Sequence, residues 1–120
     1  NAQTIVAAGS EQTTILAPAG SIISLTGLSF SVPKPTGATS GTHSVRVYQY
    51  AFTSMMELAN ATAQYNQDLQ IPLATVLAAI RGINIDAATG IIVVYANQTD
   101  AAQTNKRTVR YNGLKEVATW

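Results

Sequence analysis

Cysteine is absent from this chain of 120 residues, and histidine occurs only once, at position 43. The absence of cysteine excludes a disulfide framework and any metal site with thiolate ligands. Charged residues make up only 11% of the chain, against about 25% in an average soluble domain. The net charge of +1 provides no positively charged surface of the kind that binds nucleic acid. We therefore expect a domain without disulfides and without a nucleic-acid partner.

Long apolar runs are missing as well. The longest run, residues 91–96, is far shorter than the ~18 residues of a membrane-spanning helix, so we expect no membrane span. Apolar residues nevertheless make up 47% of the sequence, which is enough for the core of a single domain covering residues 1–120. Ser, Thr, Asn and Gln supply 38 residues, so the surface is polar but almost uncharged. Such a surface favours an assembly protein that its neighbours partly cover.

Glycine and proline recur at short intervals, and the runs between them are rich in Ile, Val, Thr and Tyr. This pattern predicts a mainly β fold, a jelly-roll-like β-sandwich. The clearest strand candidates are residues 43–52, 90–96 and 107–111, and the weaker ones are residues 4–7, 13–16 and 68–71. Because residue 1 is Asn and not Met, we expect a processed product or a segment of a longer chain.

Three segments carry more specific predictions. In residues 21–32 the apolar positions change from odd to even numbers at Gly27, which predicts a β-bulge there and one long, bent strand. Residues 72–81 show apolar side chains at helical spacing after Pro72, so we expect one short helix. Residues 54–64 have weak periodicity and are assigned as a loop or a short helix.

Residues that could support catalysis are few. His43 could act as a general base for Ser40 or Ser44, but no acidic residue lies near it in sequence and no nucleophile motif surrounds it. The six acidic residues are scattered, with no spacing typical of a catalytic pair or a calcium loop. We therefore expect a protein that is not an enzyme, without cofactor or metal, in which His43 is a polar residue where a loop enters a strand.

A polar loop follows the apolar strand at residues 91–96. Its side chains are of types that form turns by bonding nearby backbone amides: Asn97, Thr99, Asp100, Gln103, Thr104 and Asn105. Arg107 follows them and could reach across to Asp100, joining the two arms of the loop. We interpret these residues as a structural turn motif and not as a ligand site.

One predicted strand face carries residues that the core does not need. Arg46, Tyr48 and Tyr50 alternate with Val45 and Val47, so they should lie on the opposite face of the strand. Tyr and Arg are enriched at protein interfaces, and this face is therefore a candidate for self-association. Trp120 is a further candidate contact. The alternative is that these aromatic side chains stack on sugars.

Two stretches of the chain are "PTGATSGTHSVRVY", residues 35–48, and "IIVVYANQTDAAQTNKRTVRY", residues 91–111. They resemble segments of small bacteriophage virion proteins, namely head-fibre, decoration and tail-fibre domains. Residues 54–67 depart from that pattern, being shorter and richer in Ala and Met. The positions carried over by the resemblance are Gly37, Gly41, His43, Tyr95, Asn97, Thr99, Asp100, Gln103, Asn105 and Arg107.

The resemblance implies a β-sandwich on the outside of a virion, often trimeric and in contact with other virion proteins. Our leading hypothesis is a non-enzymatic phage structural protein, either a capsid decoration protein or a fibre domain. The alternative is a carbohydrate-binding or host-adhesion module that contacts a host surface glycan through Tyr48, Tyr50 and Trp120. A small hydrolase built around His43 is a third possibility.

Overall fold

The chain is built from antiparallel β-strands. The computed structural model describes residues 4–17, 19–51, 54–71, 83–112 and 115–119, of which residues 51, 54 and 115–119 are described by their backbone alone. Ten strands lie within these ranges: β1 Gly9–Ile15, β2 Ile23–Ser24, β3 Leu28–Val32, β4 Gly41–Ala51, β5 Ser54–Gln64, β6 Leu69–Ile71, β7 Asn84–Ile85, β8 Thr89–Thr99, β9 Thr108–Tyr111 and β10 Lys115–Thr119. None of the described segments forms a helix long and apolar enough to cross a membrane.

The strands form two four-stranded sheets and one short ribbon. The first sheet has the order β1-β8-β4-β5, the second has the order β10-β9-β3-β6, and β2 pairs with β7. Every pairing is antiparallel. The chain passes repeatedly from one large sheet to the other, so residues distant in sequence meet in the core. The mainly β sandwich predicted from the sequence is confirmed.

The core lies between the inner faces of the two large sheets. Val45 and Val47 on β4 are at most 1% exposed, whereas Arg46 between them is exposed. On the opposing sheet Val109 is fully buried. The Phe30 and Tyr95 rings stack across the core with their centroids 6.3 Å apart. The alternation predicted for residues 43–52 and 107–111 therefore sets which side chains face inward.

Strand β8 is central in its sheet because β1 and β4 pair with it on either side. Ile91, Ile92 and Val93 are all buried although they point to alternate faces. Ile91 and Val93 face the core, whereas Ile92 lies on the outer face between Thr14 of β1 and Tyr48 of β4. These flanking side chains account for its burial, so this segment needs no polar alternation. Its pairing with β4 spans Thr89 to Thr99 and is slightly longer than the pairing of β4 with β5.

The single bent strand predicted across Gly27 is instead two strands in different sheets. Leu25 is buried on one side of the break and Leu28 on the other. The change of the buried positions from odd to even residue numbers is therefore confirmed. Asn112 holds the corner: its backbone N–H donates to the Gly27 carbonyl at 3.0 Å, and its side chain accepts from the Thr26 N–H at 2.7 Å. The expected bulge is not formed, because the chain passes at Gly27 from the β2–β7 ribbon into the second large sheet. The Asn112 side chain stabilises this corner.

The assignment of residues 54–64 as a loop or a short helix is wrong. Residues 54–64 form β5, in which the alanines at 59, 61 and 63 are half-buried and the residues between them are exposed. Alanine is a weak strand former, and the register shift at Leu58 breaks the alternation further, so the sequence signal is poor. The predicted helix at residues 72–81 lies outside the described residues.

Candidate functional site

Three connections meet at one end of the sandwich. They are residues 33–40 between β3 and β4, residues 65–68 between β5 and β6, and residues 100–107 between β8 and β9. We call this region the polar loop end. The buried polar side chains of the described core all lie in it or on the strand ends beneath it: His43, Asn97, Thr99, Gln103 and Arg107. Buried polar groups need partners, so their bonds decide how the loops are held.

A buried histidine connects two strands and a turn. His43 and Tyr95 are both 0% exposed, and His43 Nδ1 lies 2.8 Å from the Tyr95 hydroxyl. His43 Nε2 lies 2.7 Å from the carbonyl oxygen of Gln67. Because a carbonyl oxygen only accepts, Nε2 carries the proton and Nδ1 accepts from the tyrosine hydroxyl. Burial lowers the pKa of His43 below its ordinary value, opposed by the Gln67 carbonyl and the Asp68 carboxylate. His43 is thus held as one neutral tautomer.

Gln103 continues this chain of hydrogen bonds and uses both ends of its amide. Its Nε2 donates to the Tyr95 hydroxyl at 3.0 Å and to the Pro33 carbonyl at 2.8 Å. Its Oε1 accepts from the Asn105 N–H at 2.8 Å. Its backbone also exchanges two hydrogen bonds with Ile5, which brings the beginning of the chain to this loop. Through its side chain and its backbone together, the buried Gln103 therefore connects its own loop to β8, to Pro33 and to Ile5.

Arg107 lies inside the polar loop end and not on its surface. The residue is 0% exposed, and its guanidinium carbon is 5.8 Å from the centroid of the Tyr95 ring. One guanidinium nitrogen donates to the Asn105 carbonyl at 3.0 Å. Burial lowers the pKa of Arg107, while Tyr95 and Glu11 oppose this effect. A cation over an aromatic face is a stabilising contact, so Arg107 braces the loop from within.

Asn97 and Thr99 close the turn at the end of β8. The Asn97 Nδ2 donates to the Ala101 carbonyl at 2.8 Å and to the Ile5 carbonyl at 3.1 Å. Its Oδ1 accepts from the Thr99 N–H at 3.1 Å and from the Thr99 hydroxyl at 2.6 Å. The bonds to Ala101 and Thr99 are the local bonds expected of a turn, whereas the bond to Ile5 is long-range and no sequence pattern indicated it.

Asp100 binds a different partner from the one that the sequence suggested. Its Oδ1 accepts from the Thr39 N–H at 2.7 Å and from the Ser40 N–H at 3.2 Å, and its Oδ2 accepts from the Thr39 hydroxyl. The hydroxyl and amide of Thr39 lower the pKa of Asp100 to about 2. The expected bridge between Arg107 and Asp100 is therefore wrong. Arg107 points inward and lies over the Tyr95 ring, and the Asp100 carboxylate binds residues 39–40 instead.

The glycines of the "TGATSG" segment have different roles in the structure. Gly37 and Gly41 both have positive φ, at 83° and 95°. Gly37 has open space around the position of a Cβ, whereas a Cβ on Gly41 would lie 2.2 Å from the Gln98 carbonyl oxygen. Gly41 is thus required both by its backbone conformation and by the close approach of β8.

A cleft opens between the three connections of the polar loop end. Its volume is about 470 Å³. It is bounded by the chain from Pro33 to Ala38, by Tyr65, Asn66 and Asp68 of the β5–β6 turn, and by Asn105. Lys34 donates its backbone N–H to Asp68 Oδ1 at 2.9 Å, and Asn105 Nδ2 donates to the Lys34 carbonyl at 3.0 Å. Hydrogen bonds therefore connect the walls to one another.

The second set of predicted residues lies elsewhere, on the outer face of the first sheet. Arg46 is exposed, and Tyr48 and Tyr50 are half-buried. The Tyr48 hydroxyl beside Arg46 raises the pKa of Arg46, with a smaller contribution from Glu57. Across the strands, Tyr50 is opposite Met55, which is 53% exposed. Arg46, Tyr48 and Tyr50 therefore lie together on one strand face. Trp120, the fourth candidate, lies outside the described residues.

The hydrolase hypothesis finds no geometry to support it in the described residues. The two ring nitrogens of His43 bond to Tyr95 and Gln67, and neither bonds to Ser40 or Ser44. The description of His43 as a residue at a loop-to-strand junction was also wrong, because it is a core residue within β4. Within the described residues, no group of three His, Asp or Glu side chains is close enough to hold a metal ion.

Several partners in the site had little or no signal in the sequence. Gln67 takes part only through its carbonyl oxygen, which any residue has. Thr39 and Ser40 could have been paired with Asp100 only if the proximity of the two loops had been known. Tyr65 follows β5, which the sequence did not predict as a strand, and Asp68 directly precedes β6, which lies within the predicted strand at residues 68–71. A hairpin ending in "YNQD" would have been the available clue.

Comparisons with known proteins add no assignment. A scan against models of known protein families finds no match for this chain, and a search of curated proteins finds none.

Proposed function

We propose that this chain is a non-enzymatic structural domain of a bacteriophage virion, exposed on the particle as a capsid decoration protein or part of a fibre. The supporting observation is how the buried polar groups are used. His43, Gln103 and Asn97 direct their hydrogen bonds to the backbone and side chains of neighbouring segments, so they hold loops in place. Polar networks of this type make a surface rigid without providing a reacting group.

The resemblance to virion proteins supports the same proposal from a different direction. The two stretches that carry it, residues 35–48 and 91–111, contribute most of the polar loop end and the β4–β8 ladder. A domain that must present fixed loops at low net charge suits repeated display on a particle. Contacts with neighbouring copies and with other virion proteins then cover part of the uncharged surface.

Immunogold labelling of the source particle, with antibody raised against the purified domain, tests this location. We expect labelling of intact particles at the head surface or along a fibre. Labelling that appears only after the particles are disrupted would contradict exposure on the surface. A soluble pool with no labelling of particles would contradict the virion assignment altogether.

We further propose that the domain self-associates as a trimer through the outer face of the first sheet. Tyr48 and Tyr50 are half-buried aromatics beside an exposed Arg46, a composition typical of interface centres. The trimeric number comes from the resemblance, since symmetry alone would favour a dimer. Sedimentation equilibrium should give a mass of three chains of 12.6 kDa. A single species of one chain at high concentration would contradict this proposal.

Variants locate the interface. Replacing Tyr48 and Tyr50 together by Ser should shift the equilibrium toward the single chain, because two aromatic rings are lost from the proposed interface. Tyr65→Ser is the matched control, since Tyr65 is a half-buried tyrosine at the polar loop end. If the control dissociates the assembly and the double variant does not, the interface lies at the polar loop end instead.

A further inference from the structure

Hydrogen bonds between several segments hold the walls of the cleft at the polar loop end. Its walls come from three connections that are far apart in sequence, residues 33–38, 65–68 and 105. The Lys34 backbone binds Asp68 on one side and Asn105 on the other, at 2.9 and 3.0 Å. Beneath it, Gln103 holds the Pro33 carbonyl and His43 holds the Gln67 carbonyl. A concave surface fixed in this way is preorganised for a ligand.

Polar atoms at the cleft remain available for a ligand. Asp68 uses Oδ1 to accept from Lys34, and its Oδ2 has no hydrogen bond partner among the described residues. Asn105 uses its Nδ2, and its Oδ1 likewise has no partner within the part of the chain that the structure describes. Asn66 adds a second amide and Tyr65 adds an aromatic ring. The cleft therefore presents both donors and acceptors beside an apolar surface.

The chemistry of these groups determines the class of ligand. A carboxylate and two amides are suited to hydroxyl groups, each of which both donates and accepts. The Tyr65 ring provides a surface for the apolar C–H face of a pyranose. The charges of Lys34 and Asp68 are opposite, so the cleft offers no net attraction to a phosphate or another strong anion. The volume of about 470 Å³ lies within the range of small-ligand sites.

We propose that this cleft is a saccharide-binding site, with Tyr65 stacking on one sugar ring and Asp68 and Asn105 bonding its hydroxyl groups. The site is distinct from the Tyr48 and Tyr50 face, where sequence reasoning placed a possible sugar contact. It does not depend on the virion location or on the trimer, because all of its residues come from one chain. The proposal of saccharide binding and the proposal of a virion location can therefore be tested separately, and either can be wrong while the other holds.

The first experiment is a titration of the ¹⁵N-labelled domain, followed by ¹H–¹⁵N correlation spectra. The probes are glucose, galactose, N-acetylglucosamine and rhamnose, together with an array of bacterial surface oligosaccharides. We expect at least one probe to cause saturable shifts concentrated at Lys34, Gly37, Tyr65, Asn66 and Asp68. Shifts that cluster at Tyr48 and Tyr50, or no saturable response to any probe, would overturn the proposal.

Two variants test the named contacts for the probe that binds. Tyr65→Ala should weaken its binding about tenfold or more because the stacking surface is lost. Asp68→Asn retains an acceptor for the Lys34 N–H but removes the charge, and should also cost about tenfold. Tyr50→Ala is the matched control and should bind as the unmodified domain does. Correlation spectra of each variant show whether it is folded, and unchanged affinity in both folded cleft variants would refute the assignment.

Discussion

Burial keeps His43 neutral in the folded chain, and this makes stability depend on pH. The folded pKa lies below the ordinary value of 6.5, so the unfolded chain takes up the proton first as the pH falls. The contribution of neutral His43 to the free energy of unfolding is therefore fully present above pH 6.5. It decreases as the pH falls from there toward the folded pKa. Urea unfolding between about pH 8 and about pH 4 should show this decrease. In the His43→Gln variant this part of the pH dependence should be absent, and parallel curves for the two proteins would contradict the prediction.

Asp100 makes a separate contribution at lower pH. Its pKa of about 2 is below the ordinary value of 3.8, so its contribution is present above pH 3.8 and is lost as the pH falls toward 2. Asp100→Asn should reduce the slope of stability against pH in this interval and speed amide exchange at Thr39 and Ser40. Asp86→Asn is a control, because the Ala88 and Thr89 amides also lower the pKa of Asp86. That variant should alter the slope and leave the Thr39 amide unchanged.

Gly37 and Gly41 allow backbone strain to be separated from steric clash. Both have positive φ, but only Gly41 lacks room for a Cβ. Gly37→Ala should cost about 1 kcal/mol of unfolding free energy, from conformational strain alone. Gly41→Ala should cost about 3 kcal/mol or more, because β8 must also move away. Denaturant titration measures both costs, and equal losses for the two variants would show that the close contact is not maintained.

Among the elements, position in the sheets should set the order of local stability. β8 has a paired strand on each side, whereas β2 and β7 each pair over only two residues. Native-state hydrogen exchange should therefore find the slowest amides in β8 and β4. Exchange in β2 and β7 should be at least about a hundredfold faster. Equal protection of all strands would show that the short ribbon unfolds only with the whole domain.

Strand prediction succeeded or failed element by element for identifiable reasons. β4 and β9 alternate large apolar residues with polar ones, so Val45 and Val109 could be assigned to the core from the sequence. β5 has alanines at its inward positions and a register shift at Leu58, and neither produces a strong period of two. The break at Gly27 was visible as a change of parity, but a bulge and a change of sheet produce the same pattern.

For the whole molecule, the low charge predicts that association depends little on salt. The outer face of the first sheet has Arg46 and Glu57 near Tyr48, and the strand register places mostly uncharged side chains around them. Apolar association is not screened by ions. Sedimentation equilibrium at low salt and at about 1 M NaCl should give association constants within about threefold of each other. A much weaker association in salt would show that Arg46 and Glu57 carry the interface through ion pairing.

The sequence by itself determined the class of fold, the inward faces of the main strands and the clustering of turn-forming residues after β8. These properties follow from local periodicity and from the chemistry of neighbouring side chains, which the order of residues contains directly. The tertiary structure alone decided that Asp100 binds Thr39, that Arg107 lies over Tyr95, and that His43 is buried against the Gln67 carbonyl. Those partners are separated by up to 61 residues, and they meet because the sandwich brings three connections to one end. Which groups meet there depends on the pairing of distant strands, and no local pattern specifies that pairing.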